Sequence, residues 1–225
     1  MASSGRNETS RPEPDPETTA AALRARVYIV DDDEVLLGTL ARLLIRAGHD
    51  VETYASPRAF LDRARPDPTS CVLLDIQMPE LSGLELQELL ARDRAAPAVV
   101  FMSAHADVPA AVRALKGGAV DLLQKPFEKS ELLEAVGVAL QRSAERAALW
   151  AAQTTALERL ARLTRRERQV CELIAAGRRS RDIAGDLGLA ETTVKLHRAR
   201  VMKKLGASSL AELVLLVERA GAGDG

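Results

Sequence analysis

The sequence predicts an α/β doubly wound parallel sheet of five strands, followed by a linker helix and an all-α domain of four helices. Three observations predict it. From Arg26 to Leu140 short apolar runs alternate with helical patterns, as parallel strands do when crossover helices join them. An alanine-rich stretch with neither Gly nor Pro follows at 141–162. Beyond it the pattern is helical, broken by Gly177 and Gly188. At 225 residues the chain accommodates two modest domains.

The elements follow in order. "VYIV" (27–30) is a β-branched strand, and "VLLGTLARLLIRAG" (35–48) has helical periodicity and stops at Gly48. "VETY" (51–54) is a weaker strand. "SPRAFLDRA" (56–64) opens with Ser then Pro, a helix start. "CVLLD" (71–75) is a continuous apolar run, as expected of a strand buried on both faces. "GLELQELLARD" (83–93) is helical, "AVVFMS" (98–103) a strand, "DVPAAVRALKGGA" (107–119) a helix ending in glycines, "VDLL" (120–123) a strand and "EKSELLEAVGVAL" (128–140) a helix. After Leu140, the apolar Leu149, Trp150, Leu157, Leu160 and Leu163 are placed to pack on a domain or a partner helix. "TRRERQVCELIAAG" starts at Thr164 with Glu167 three residues on, the spacing of a capping box. "SRDIAGDLGL" and "ETTVKLHRARVMKKLGA" meet at a tight turn at Gly188, and "SLAELVLLVERAG" closes the domain. A helix, a glycine turn and a basic helix make a helix-turn-helix candidate.

Composition narrows the function. No apolar run approaches the roughly 18–20 residues of a membrane span. Residues 1–24 lack an apolar core and read as a disordered tail rather than a secretory signal. Cys71 and Cys171 lie far apart without metal spacing and read as buried thiols in a cytoplasmic protein. Residues 151–225 carry 14 Lys/Arg against 9 Asp/Glu, a charge of +5, and residues 1–150 carry 17 against 23, a charge of -6. An acidic half joined to a basic half suggests a nucleic-acid-binding end under separate regulation.

In a doubly wound sheet ligands bind beyond the carboxyl ends of the strands. The first strand ends at Asp31 and Asp32, the third at Asp75 and the fourth at Ser103, while Lys125-Pro126 follows the fifth. Crowded carboxylates repel one another unless a cation sits among them. Hard carboxylate oxygens suit Mg²⁺, a lysine is a point charge for phosphate, and a hydroxyl can donate to a phosphoryl oxygen. This set supports attack by a carboxylate on a phosphoryl group.

The motifs "VDDD", "LLDIQMPELSG", "FMSAH" and "LLQKPF", followed by "LTRRERQVCELIAAG" and "IAGDLGLAETTVKLHRARVMKKLGASSLAEL", resemble a two-component response regulator of the FixJ/NarL type. The resemblance covers nearly everything except the tail and the linker. It implies a receiver domain at 25–140 with strand order 2-1-3-4-5, a linker helix at 141–162 and a LuxR-type helix-turn-helix domain at 163–225. It makes Asp75 the phospho-acceptor, with Asp31, Asp32, Asp75 and the backbone carbonyl of Gln77 around Mg²⁺ (or Mn²⁺). Ser103 and Lys125 are implied to bind phosphate, the Lys125–Pro126 bond to be cis, and Gln77 and His105 to tune dephosphorylation. Asp33 is expected to serve the first helix N-terminus rather than a metal. Leu122 stands where the family often has an aromatic switch residue.

In the second domain Val194, Val201 and Leu205 share a face that points to the core. Thr192, Lys195, Leu196, Ala199 and Lys203 share the face expected to enter the major groove, with Lys195 placed for guanine and Leu196 and Ala199 for thymine methyls. Thr193, Arg198, Arg200, Lys204, Arg166, Arg179 and Arg181 are candidate phosphate contacts, and His197 is expected to pack or to meet phosphate. Ala190 forfeits the Ser or Thr cap common in the family, typically about 1 kcal/mol, so order in this helix is expected to depend on DNA.

These readings predict a cytoplasmic transcription regulator, not an enzyme beyond Mg²⁺-dependent self-phosphorylation and slow autodephosphorylation. Its expected partners are a sensor histidine kinase, double-stranded promoter DNA and RNA polymerase, without a membrane. A homodimer is expected on phosphorylation through Val112, Lys116 and Ala119. Two alternatives are a phosphorylation-independent DNA-binding regulator with the receiver as a dimerisation module, and an aspartate-dependent phosphohydrolase. The second would favour Asp-x-Asp where the chain has Asp75-Ile76-Gln77.

Overall fold

The computed structural model describes residues 25–93, 95–104 and 108–221. Five strands, β1 (Arg26–Val30), β2 (Asp50–Tyr54), β3 (Cys71–Asp75), β4 (Ala98–Ser103) and β5 (Asp121–Gln124), pair in parallel in the order β2-β1-β3-β4-β5. Between and after them run α1 (Glu34–Arg46), α2 (Pro57–Arg63), α3 (Gly83–Leu90), α4 (Val108–Lys116) and α5 (Lys129–Ala161). Four further helices complete the described chain: α6 (Arg165–Ala175), α7 (Ser180–Leu187), α8 (Glu191–Leu205) and α9 (Leu210–Gly221). The chain divides into two compact units between Ala144 and Glu145.

The first unit owes its three layers to the two-residue period of its strands. Val27, Ile29, Cys71, Leu73, Val100 and Met102 project to one face and pack with Leu37, Leu40 and Leu44 of α1 and Leu132, Val136 and Ala139 of α5. Tyr28, Val30, Val72, Leu74, Val99 and Phe101 project to the other and meet Phe60 of α2, Leu84 and Leu86 of α3 and Ala114 of α4. Because β3 and β4 are covered on both sides, every residue in them is buried. The edge strand β2 is only half-buried, which accounts for its weaker sequence signal.

Local signals set the helix ends. Asp33 caps α1, accepting from the N–H groups of Val35 and Leu36, as expected of it. Ser56 caps α2 with Pro57 behind it, and Ser82 with Glu85 forms a capping box on α3. α4 is shorter than expected because the chain turns at Gly117 and Gly118, the latter at φ 89°. The expected helices 128–140 and 141–162 are one uninterrupted helix of 33 residues, α5. No proline interrupts it, and Ser143 donates from its buried hydroxyl toward the carbonyls of Pro68 and Ser70, at 2.7 and 2.9 Å.

The second unit has its own core, in which Val170, Cys171 and Ile174 of α6 pack with Ile183 of α7, Val194, Val201 and Leu205 of α8 and Leu213 of α9. Ala156 and Leu163 join them. Both cysteines are buried thiols, and burial pushes Cys71 up to about 12 and Cys171 to about 11, leaving little thiolate at neutral pH. Leu149, Trp150 and Leu157 of α5 stay exposed, the indole at 39%.

Candidate functional sites

All five strands are parallel, so their carboxyl ends share a rim. Asp31 and Asp32 follow β1, Asp75 ends β3, Ser103 ends β4 and Lys125 follows β5. The lysine ties the rim together, since its Nζ donates to Asp31 Oδ2 at 2.6 Å and to Asp75 Oδ1 at 2.7 Å. Both carboxylates are removed from solvent, Asp31 at 1% and Asp75 at 5% exposure. Their second oxygens are also engaged: Asp31 Oδ1 accepts the Asp33 N–H at 2.9 Å, and Asp75 Oδ2 the Gln77 N–H at 2.7 Å. The Lys125 N–H donates to the carbonyl of Ser103, itself buried, at 2.8 Å. The Lys125–Pro126 peptide is cis. Asp32 and the Gln77 side chain are exposed. His105 lies outside the described residues.

Burial pushes the Asp75 carboxyl up and the Lys125 ammonium pulls it down, with a net position above the ordinary carboxylate range. Burial lowers Lys125, but bonds to Asp31 and Asp75 more than offset this and hold it above its ordinary value. The ammonium therefore keeps its proton and serves two buried carboxylates. Among the described residues no three His, Cys, Asp or Glu side chains cluster as ready metal ligands. The chemistry of the rim nonetheless fits a small divalent cation, because it offers hard oxygens and one negative charge more than Lys125 neutralises, before Asp32 is added.

Sequence reading gave Gly83 no role, yet it adjoins the backbone of Asp75. Its N–H donates to the Ile76 carbonyl at 3.0 Å, and a Cβ added to it would lie 2.1 Å from the Asp75 carbonyl oxygen. The available signal was a glycine at the first position of a helix already capped by Ser82, where helix formation alone calls for none.

The expected association face needs correction. Val112 and Lys116 are exposed on α4, but Ala119 is 8% exposed within the second core cluster. The turn at Gly118 carries Ala119 inward, where its N–H bonds to the Ala114 carbonyl. The exposed apolar stripe of α4 is Val108, Val112 and Leu115, at i, i+4 and i+7.

In the second unit Gly188, at φ 63°, closes α7 and makes the turn into α8. Val194, Val201 and Leu205 are fully buried, whereas Thr192, Lys195, Leu196, Ala199 and Lys203 are all exposed. Lys195 pairs with Glu191 at 2.9 Å, an exposed contact of small strength that a competing ligand can displace. Arg179, Arg181 and Arg200 are exposed, and Thr193, His197 and Arg198 half-buried. His197 Nδ1 is buried without a hydrogen-bond partner. Ala190 provides no side-chain bond to α8.

Two of the candidate phosphate contacts have internal partners. Arg166 donates to the Leu187 carbonyl at 2.6 Å and to Gln169 Oε1 at 3.0 Å, bracing the turn before α8. Lys204 donates to Glu167 at 2.6 Å, and that carboxylate also closes the capping box with Thr164. The Lys204 bond, with help from the Thr164 N–H, holds Glu167 down to about 2.

Comparison with known proteins agrees with both halves. Residues 27–137 match the response regulator receiver domain, and residues 161–217 match the bacterial regulatory proteins of the luxR family. Nodulation protein W of Bradyrhizobium diazoefficiens is 41% identical over 90% of this chain and 89% of its own length. The transcriptional regulatory protein FixJ of Azorhizobium caulinodans is 43% identical over 87% and 92%. Among solved structures, the response regulator StyR is 44% identical, covering 87% of this chain and 99% of its own, with a TM-score of 0.78. Full-length FixJ from B. japonicum is 38% identical over 88% and 98%, with a TM-score of 0.53. With a receiver-type rim on a five-stranded parallel sheet, an exposed basic helix behind a glycine turn and relatives that share both halves, the chain belongs to the two-component response regulators of the FixJ/NarL type, phosphorylation-activated transcription regulators with a LuxR-type DNA-binding domain.

Proposed function

We propose that Asp75 accepts a phosphoryl group from the phosphohistidine of a sensor histidine kinase, and that this switches homodimerisation and binding to promoter DNA. The observation that carries the reading is the single ammonium shared by two buried carboxylates, Asp31 and Asp75. In the transfer an Asp75 oxygen forms a bond to phosphorus, the phosphorus–nitrogen bond breaks, and the electron pair leaves on the imidazole, which then takes a proton. Lys125 sits against the acceptor oxygen and balances negative charge as the acyl phosphate forms. Ser103 supplies a hydroxyl for a phosphoryl oxygen at the same rim. Asp31, Asp32, Asp75 and the Gln77 carbonyl would hold Mg²⁺ or Mn²⁺, which when bound supplies positive charge to the phosphoryl oxygens. Gln77 and His105 are assigned to tuning the lifetime of the acyl phosphate.

The exposed stripe Val108, Val112 and Leu115 gives dimerisation an apolar face. Two copies would then present two α8 helices to paired half-sites in cytoplasmic promoter DNA, with RNA polymerase as a further contact. The test is solution mass by light scattering, with and without Mg²⁺ and beryllofluoride, on wild type and Asp75→Asn. Wild type is expected to go from 24.2 kDa to twice that mass with the mimic, and Asp75→Asn to stay monomeric. An unchanged wild-type mass, or dimerisation of the Asn variant, would overturn the switch. One observation favours the phosphorylation-independent alternative, the half-buried aliphatic Leu122 at the position where the resemblance implies an aromatic switch residue, and a dimer without the mimic would support it.

A further inference from the structure

The last turns of α5 are built into the DNA-reading unit. Ala156 is buried in its core and Leu160 packs against the same cluster. Between them Arg159 donates from Nη1 to the carbonyl of Leu205 at 3.2 Å. Leu205 is the last residue of α8, and the final carbonyls of a helix have no partner within it. Gly206, at φ 65°, turns its N–H back to Met202 and Lys203, and Ala207 bonds to Met202. The Leu205 carbonyl is thus left to a guanidinium from another helix, which also opposes the negative pole of α8. Lys204, alongside, donates to the Arg162 carbonyl at 3.3 Å as well as to Glu167. So α8 is held at its C-terminal end by α5 and the turn after it, while its N-terminal end at Ala190 has no side-chain cap. The region matched to the luxR family begins at residue 161, after Arg159.

We propose that Arg159 is a positioning residue for DNA reading. It touches no base or phosphate, but fixes the last turn of α8 and through it the angle at which Thr192, Lys195, Leu196, Ala199 and Lys203 are presented. The inference rests on the DNA-binding role of α8 described above. It accounts for a charged side chain on an alanine-rich helix that turns to a buried carbonyl rather than to solvent.

The test uses the full chain with Mg²⁺ and beryllofluoride. Its probes are a duplex that wild type enriches from a random-sequence pool and a scrambled duplex of the same composition. Arg159→Met keeps the stem and loses the donor, and is expected to weaken the enriched duplex about tenfold, as for loss of one charge-assisted hydrogen bond. It should leave the scrambled duplex and the slope of log affinity against log salt unchanged, whereas Lys203→Ala should reduce that slope by about 0.9. Without DNA, amide exchange at Gly206 and Ala207 should accelerate in Arg159→Met while Val194 stays protected, and Arg159→Lys should recover most of the affinity. Wild-type affinity in Arg159→Met, or a slope reduced by about 0.9 in that variant, would overturn the proposal, the latter by making Arg159 a phosphate contact. If Met unfolds the unit, the Lys variant decides: specific binding upholds the donor role and equal loss of both duplexes ends it. A wild type that enriches no sequence would overturn the DNA-reading function and this inference together, a result distinct from failure at Arg159 alone.

Discussion

Adding one carbon to Gly83 would place it 2.1 Å from the Asp75 carbonyl oxygen, a backbone atom that cannot swing aside as the end of a flexible side chain would. Gly83→Ala is expected to lower stability by about 1–3 kcal/mol and, on the proposed role of Asp75, to slow acyl-phosphate formation, because the Asp75 peptide must shift. Urea midpoints and acyl-phosphate formation would measure the two effects. Two carboxyls, Glu167 and Asp75, pull stability in opposite directions with pH. Glu167 is held to about 2, below its ordinary 4.5, so its contribution is present above 4.5 and is lost as pH falls from about 4.5 toward 2. Melting curves across that window should flatten in Glu167→Gln. Asp75 lies above its ordinary 3.8, so the folded state takes up this proton before the unfolded chain does, and this contribution falls as pH rises through the acid range. Asp75→Asn is therefore expected to remove this part of the pH dependence, which melting curves of the first unit across the acid range would measure.

Of the helices in the second unit, α6 has a full capping box at Thr164 and Glu167, whereas α8 starts at Ala190 with none. Ala190→Ser is expected to add about 1 kcal/mol and to slow amide exchange at residues 191–193 in the free protein. Most elements were legible in the sequence because their signals are local: Ser56-Pro57, Thr164 with Glu167, and the glycine turn at Gly188. The length of α5 was not. A change from apolar to alanine-rich pattern after Leu140 reads as a boundary, and Ser143 reads as a solvent-facing polar residue until the carbonyls of Pro68 and Ser70 are seen beneath it. Ala119 was misplaced for a related reason, since helical spacing was carried past the glycines that end α4.

Two separate cores predict two separable melting transitions. Beryllofluoride with Mg²⁺ should raise only that of the first unit, by an amount that grows with ligand concentration, and Asp75→Asn should abolish the shift. Convergence of Asp31, Asp75, Ser103 and Lys125 could be expected from sequence because each ends or directly follows a strand and parallel strands end together. Partnerships such as Lys204 with Glu167 and Arg159 with Leu205 could not, because they depend on how helices distant in sequence pack, and a lone charge on a helix reads as a solvated one. The chain's one tryptophan, Trp150, lies part-exposed on α5 beside the exposed Leu149. Its emission is therefore a built-in, label-free optical gauge of that face. A partner helix laid over Leu149 and Leu157 would shift the indole spectrum to the blue. Activation that leaves this surface wet would leave the colour of the protein's fluorescence unchanged.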